Sequence, residues 1–185
     1  MKKIVLAIAT AASLFAANAF AQQAYVGGAI GQGHINFDCS GIPSCSNSNT
    51  GFKLYGGYNF TPAIAGEVVY FDFGKSHASD NLGSELNLKA SAVGLGVAFG
   101  GKFTPQWSGV ARLGVADVRM KADATVGVLT GSRSESSTQA YAGVGVAYEV
   151  SKGLSITADI DVSRGKIASE SGDLRLISVG LNKSF

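Results

Sequence analysis

The sequence predicts an all-β fold, an eight-stranded antiparallel up-and-down transmembrane β-barrel. Three observations predict it. Apolar residues recur at every second position in segments long enough to cross a bilayer. The connections between those segments alternate long and short along the chain. The chain also opens on an export signal and closes on a strand ending in an aromatic residue. Strand side chains point to opposite faces in turn, so period two marks a strand with one apolar face. A spanning strand needs ~9–11 residues, and each of the eight segments supplies them.

Residues 1–21 read as a signal peptide. Lys2 and Lys3 are its charged start, Ile4 to Phe15 its apolar stretch, and Ala19-Phe20-Ala21 a small-x-small cleavage site. This leaves a barrel domain over 22–185. Removing Lys2 and Lys3 from 15 Lys and Arg balances the rest against 13 Asp and Glu, so charge gives no argument for nucleic acid. Beyond the signal no stretch is long and apolar enough for a spanning helix. Yet 46% of the chain is hydrophobic and 25 residues are Gly. A barrel explains both: apolar residues face lipid, and Gly, Ala and Ser pack a narrow interior.

The first strand covers Ala24–Ile35 and is so rich in Gly that its phase is ambiguous. A polar loop over Asn36–Thr50 follows. The second strand, Gly51–Phe60, sets Phe52, Leu54, Gly56, Tyr58 and Phe60 against Lys53, Tyr55, Gly57 and Asn59, and Thr61-Pro62 turns the chain. The third, Ala63–Phe73, sets Val68 and Tyr70 opposite Glu67, and Phe71-Asp72-Phe73 breaks the pattern enough to predict a bulge. A second long loop spans Gly74–Glu85. The fourth strand, Leu86–Gly100, sets Val93, Leu95, Val97 and Phe99 against Ala92, Gly94, Gly96 and Ala98; a turn with Pro105 follows. In the fifth, Trp107–Met120, Ala111, Leu113 and Val115 oppose Arg112, Gly114 and Ala116.

The third long loop spans Lys121–Ser137. The sixth strand, Thr138–Val150, sets Ala142, Val144, Val146 and Tyr148 against Tyr141, Gly143, Gly145, Ala147 and Glu149. Ser151-Lys152-Gly153 is a hairpin turn. The seventh, Leu154–Arg164, sets Leu154, Ile156, Ala158, Ile160 and Val162 against Ser155, Thr157, Asp159, Asp161 and Ser163. A fourth loop, Gly165–Gly172, leads to the eighth strand, where Ile177, Val179, Leu181 and Phe185 oppose Ser178, Gly180, Asn182 and Ser184. Short periplasmic turns alternating with long outer loops are the habit of membrane barrels. A soluble sandwich has no reason to keep it. Tyr58, Phe60, Phe103, Trp107, Tyr148 and Phe185 all fall beside the short turns, as an interfacial aromatic girdle would.

Three stretches carry a family resemblance across the mature chain. Tyr55-Gly-Gly-Tyr-Asn-Phe-Thr-Pro62 with Glu67, Trp107-Ser-Gly-Val-Ala-Arg-Leu-Gly114, and Ser178-Val-Gly-Leu-Asn-Lys-Ser-Phe185 resemble the OmpA-like transmembrane domain and its small eight-stranded relatives, the opacity proteins and OmpX. The resemblance implies an outer-membrane protein with a structural and surface-interaction role, set among outer-membrane lipid and lipopolysaccharide, its outer loops meeting any surface ligand. It also implies that Phe185 is read by the barrel-assembly machinery, although Lys183 stands where that signal usually carries an aromatic. OmpA continues into a peptidoglycan-binding domain; this chain ends at Phe185, so that role is not carried over.

Glu67 matches the family's interior glutamate. Lys53, Arg112, Glu149, Asp159 and Asp161 have the phase to join it inside. Charges in a narrow interior are costly unless paired or hydrated, so an ion-pair network is expected. Such a network either plugs the barrel or rearranges to leave a narrow, low-conductance pore; eight strands leave an interior just filled by side chains, which favours the plug. A lipid A-modifying hydrolase is a more distant alternative. His77-Ala78-Ser79 with Glu85 has the local pattern of a His-activated hydroxyl, but on a polar loop where such triplets arise by chance. No enzyme activity is therefore expected. Cys39 and Cys45, two cysteines in an exported chain, predict a disulfide closing a small loop. His34 alone stands near them as a further soft ligand, too few for a metal site, and no nucleotide or haem motif calls for a cofactor.

Overall fold

The computed structural model of the chain describes residues 23–36, 44–79, 84–126, 129–167 and 170–185. The proposed signal peptide and Cys39 lie outside the described residues. Nine strands are present among them: β1 (Ala24–Ile35), β2 (Ser44–Ser46), β3 (Ser48–Thr61), β4 (Ile64–Ser79), β5 (Ser84–Lys102), β6 (Trp107–Val126), β7 (Leu129–Ser151), β8 (Leu154–Ile167) and β9 (Glu170–Ser184). Every pairing is antiparallel, and β1 joins β9 from Tyr25 opposite Ser184 to Ile35 opposite Leu174. That seam closes eight of the strands into a barrel. The small ninth, β2, adds three residues to the outer end of β4. Closure leaves no unpaired edge across the bilayer core, where no water could satisfy one.

The alternation expected from sequence holds through the spanning ladders. Ile30, Leu54, Val68, Leu95, Leu113, Val144, Ile160 and Val179 all face outward. Their neighbours in each strand face in. In water this outer surface would be an aggregation hazard; in a bilayer it is the contact face. The expected irregularity near Phe71-Asp72-Phe73 is present as a break in the β4–β5 register between Asp72 and Lys75. Gly74 adopts φ +82° there, a left-handed backbone that glycine takes without strain, and donates its N–H to Asp72 Oδ1 at 2.9 Å.

The short turns are where the sequence places them, at 62–63, 103–106 and 152–153. Gly153 has φ +72° in the last of them. The long loops need correction. Most of 121–137 is ladder, paired up to Val126 opposite Leu129, and β4, β5, β8 and β9 likewise run into segments expected to be loops. Beyond the bilayer both faces of a hairpin meet water. The ladder there is held by backbone hydrogen bonds and needs no apolar alternation, so polar composition does not distinguish it from a loop.

Candidate functional site: a charged layer inside the barrel

Lys53 on β3, Glu67 on β4, Arg112 on β6 and Asp159 and Asp161 on β8 point inward and meet at the barrel axis. Arg112 Nε donates to Glu67 Oε1 at 2.9 Å, and its Nη1 donates to Asp159 Oδ1 at 2.7 Å. Lys53 Nζ donates to Asp161 Oδ2 at 2.7 Å and stands 3.5 Å from Asp159 Oδ2. The five groups thus form one continuous chain from Glu67 through Arg112, Asp159 and Lys53 to Asp161. None is more than 4% exposed. Buried charges of this kind persist only when geometry and further hydrogen bonds offset their desolvation.

Two tyrosines complete the layer. Tyr25 OH donates to Glu67 Oε2 at 2.9 Å. The Tyr55 ring lies between the two cations, 5.2 Å from Lys53 Nζ and 4.9 Å from Arg112 Cζ, close enough for cation–π attraction to both. Glycine makes room for these side chains. A Cβ on Gly27 would come within 2.2 Å of the Tyr55 ring, and one on Gly57 within 2.3 Å of the Tyr25 ring. Sequence reasoning gave Tyr55 the inward phase without a role and missed Tyr25, because β1 carries too few side chains to show a phase.

Glu149 is not part of this chain. Its phase is inward, but it sits at the short-turn mouth, 34% exposed, 3.7 Å from Lys102 and accepting the Gly153 N–H at 3.2 Å. A cavity of about 260 Å³ lies at that same end. It is lined by Asn59, Lys102, Ser108 and Thr157 and reaches Arg112 and Asp159. On the other side of the charged layer the interior is mainly apolar, with Ser76 buried among the hydrocarbon side chains. Ile35, Val69, Phe71, Phe73, Val118, Leu174 and Leu176 are 0–1% exposed and pack as one cluster.

The other sequence candidates are dispersed. His77 lies on strand β4 rather than on a loop, exposed, with Nδ1 3.0 Å from Asn87 Oδ1. His34 pairs with Ser48 Oγ at 2.8 Å, and no metal-binding group of His, Cys, Asp and Glu occurs among the described residues. The backbone of Cys45 lies in β2. Phe185 is exposed at the end of the barrel wall and donates its N–H to Ala24 O at 3.0 Å, at the β1–β9 seam.

A closed antiparallel barrel with an apolar exterior and an interior of ion pairs and apolar side chains defines a small outer-membrane β-barrel protein. The family described as the outer membrane protein beta-barrel domain matches residues 7–185, and the chain belongs to it. No curated protein matches the sequence. Several solved structures share the fold. Ail, the attachment invasion locus protein of Yersinia pestis, is similar with TM-score 0.59 and 16% identity, over 88% of this chain and 99% of that one. Neisserial surface protein A gives 0.61 and 16%, over 88% and 97%. The outer membrane protein OprG of Pseudomonas aeruginosa gives 0.59 and 12%, over 89% and 96%. The chain is therefore a protein of the bacterial outer membrane.

Proposed function

We propose that this protein is a closed structural scaffold of the outer membrane whose projecting hairpins serve as its contact surface. The observation that carries the reading is the double seal. Phe71, Phe73, Leu174, Leu176 and Val118 fill the outer half of the bore, and the Arg112- and Lys53-centred ion pairs fill the layer beneath. The cavity at the short-turn end is then a blind vestibule. The β6–β7 ladder reaches well beyond the ~9–11 residues a bilayer needs and offers Arg119, Lys121, Arg133 and Glu135 on a rigid projection. A structure of Ail in complex with the heparin analogue sucrose octasulfate shows a neighbour of this fold meeting a sulfated saccharide. A disulfide between Cys39 and Cys45 would stiffen the surface near β2, and Phe185 would serve as the recognition element for barrel assembly. Lipopolysaccharide and outer-membrane lipid are its surroundings in this reading.

The test is single-channel recording in planar bilayers with a refolded sample verified as folded by its gel mobility. The scaffold reading expects silence. Reproducible conductance steps that change in Arg112→Gln would favour the second reading, a narrow pore opened by rearrangement of the ion pairs; the vestibule reaching Arg112 is the feature that supports it.

A further inference from the structure

Outside the barrel, the rim at the short turns carries exposed aromatic side chains, Tyr58, Phe60, Trp107, Tyr148 and Phe185. Lys183 interrupts that ring. Its neighbours Asn182 and Ser184 line the vestibule inside, so the alternation of β9 turns Lys183 outward. There it stands directly across from Val26 on β1 and Leu154 on β8. A lysine on an apolar exterior carries its ammonium to the membrane interface. Its Nζ reaches the turn at 152–153 and makes a long contact with Lys152 O, 3.4 Å. Among the described residues it forms no ion pair.

Beside Lys183 the outer wall is hollowed. Gly28 on β1 and Gly56 on β3 fall on the outward face, across from Leu54 and Leu181 and from Val26. Interior packing does not require these two glycines. A Cβ on Gly27 or Gly57 would strike a buried tyrosine ring. One on Gly56 would meet nothing nearer than 3.6 Å, and one on Gly28 only the Leu54 Cδ2 methyl at 3.1 Å. The result is a shallow groove lined by Val26, Gly28, Leu54, Leu154 and Leu181. Lys183 closes its short-turn end.

We propose that this groove seats one anionic phospholipid of the short-turn leaflet, its phosphate on Lys183 and an acyl chain along Gly28 and Gly56. Charge and shape both select such a molecule. An ammonium without a counter-ion attracts a phosphate. Lys152, exposed in the neighbouring turn, adds positive charge at the same level. The apolar floor takes hydrocarbon, and the two glycines let a chain lie close against the backbone. A chain hanging from a headgroup at the rim runs toward the bilayer centre, which is the course of the groove from Lys183 to Gly28. The proposal does not rest on the scaffold reading, because the groove lies outside the bore.

The experiment is native mass spectrometry of the folded barrel released from nanodiscs of equal phosphatidylglycerol and phosphatidylcholine, with folding of every variant verified by gel mobility. The wild type is expected to retain one phosphatidylglycerol in preference to phosphatidylcholine by about fivefold, the factor one lysine near an anionic surface supplies. Lys183→Met should abolish the preference. Gly56→Leu keeps the charge and fills the groove, and should lose the retained lipid. Lys166→Met, at the opposite rim, should change neither. Equal retention of the two lipids by the wild type overturns the proposal, as does a preference unchanged in Lys183→Met. Retention unchanged in Gly56→Leu also overturns it, since the lysine then acts as a bare surface charge. A dimer that Gly56→Leu disrupts would give the groove to a second copy of the chain instead. Should Gly56→Leu fail to fold, Leu54→Ser, which strips hydrocarbon from the groove wall, takes its place with the same expected loss.

Discussion

The two halves of the bore are built from opposite chemistries. Toward the short turns it is a chain of ion pairs with two tyrosines; toward the long hairpins it is a packed cluster of Phe, Leu, Val and Ile. The apolar half is filled by shape, so each side chain matters through the volume it occupies. The polar half is filled by partners, so each side chain matters through the groups it would leave unpaired. The same barrel wall thus has two modes of failure, one graded and one abrupt.

The largest effect is expected where a partner is removed. Arg112→Ala leaves Glu67 and Asp159 buried without their cation, and breaking a buried pair in this way costs about 4 kcal/mol. Urea unfolding in vesicles measures it. A loss under about 1 kcal/mol, the scale of an exposed pair, would show that water reaches the layer and that the two halves differ less than the packing implies.

Next comes a cavity in the apolar half. Leu176→Ala should cost about 3 kcal/mol, with the exact value set by how far Phe71 and Phe73 relax into the space. The scaffold reading adds a sharper expectation, that the variant remains electrically silent because the ion-pair layer still seals the bore. Conductance in Leu176→Ala alone would mean that the apolar half is the true barrier and the charged half is already permeable.

The contrast also explains which parts of the molecule were legible in the sequence. Lipid accepts only apolar residues at every second position, so the phases of the strands carrying Leu54, Leu95, Val144, Ile160 and Val179 were readable, and with them the inward face of Lys53, Arg112, Asp159 and Asp161. Period two fixes a face but not a depth. Glu149 shares the inward phase and still ends at the mouth beside Lys102. Tyr25 was hidden because four of the twelve residues of its strand are glycine, which blurs the strand's phase. The apolar half of the bore was missed because its residues, such as Phe71, Phe73 and Leu174, fall in or beside segments whose polar neighbours read as loop. The hairpin extensions were missed for a related reason, since a water-exposed ladder has no hydrophobic period to read.

A smaller effect is expected at the border between the halves. Asp72 is paired with a half-exposed Lys89, so Lys89→Met should cost less than about 1 kcal/mol. Asp72→Asn keeps an oxygen for the Gly74 N–H and should cost little more. If Lys89→Met matched Arg112→Ala in unfolding, burial of the charged layer would not be what sets it apart.

The smallest effect belongs to the projecting β6–β7 ladder, outside both halves, where charge pairs are bathed in water. The Ser132 hydroxyl, with Lys121 3.3 Å away, holds the Asp123 carboxyl below its usual range. A depressed folded value stabilises the ladder above the ordinary carboxylate range and is lost as pH falls through the folded value. Because the group is fully exposed, the consequence is local: Ser132→Ala should move the Asp123 titration midpoint back up, read by NMR, while the urea midpoint of the barrel stays where it was. An unmoved titration would assign the shift to Lys121 instead, and a moved urea midpoint would couple the projection to the membrane-embedded bore.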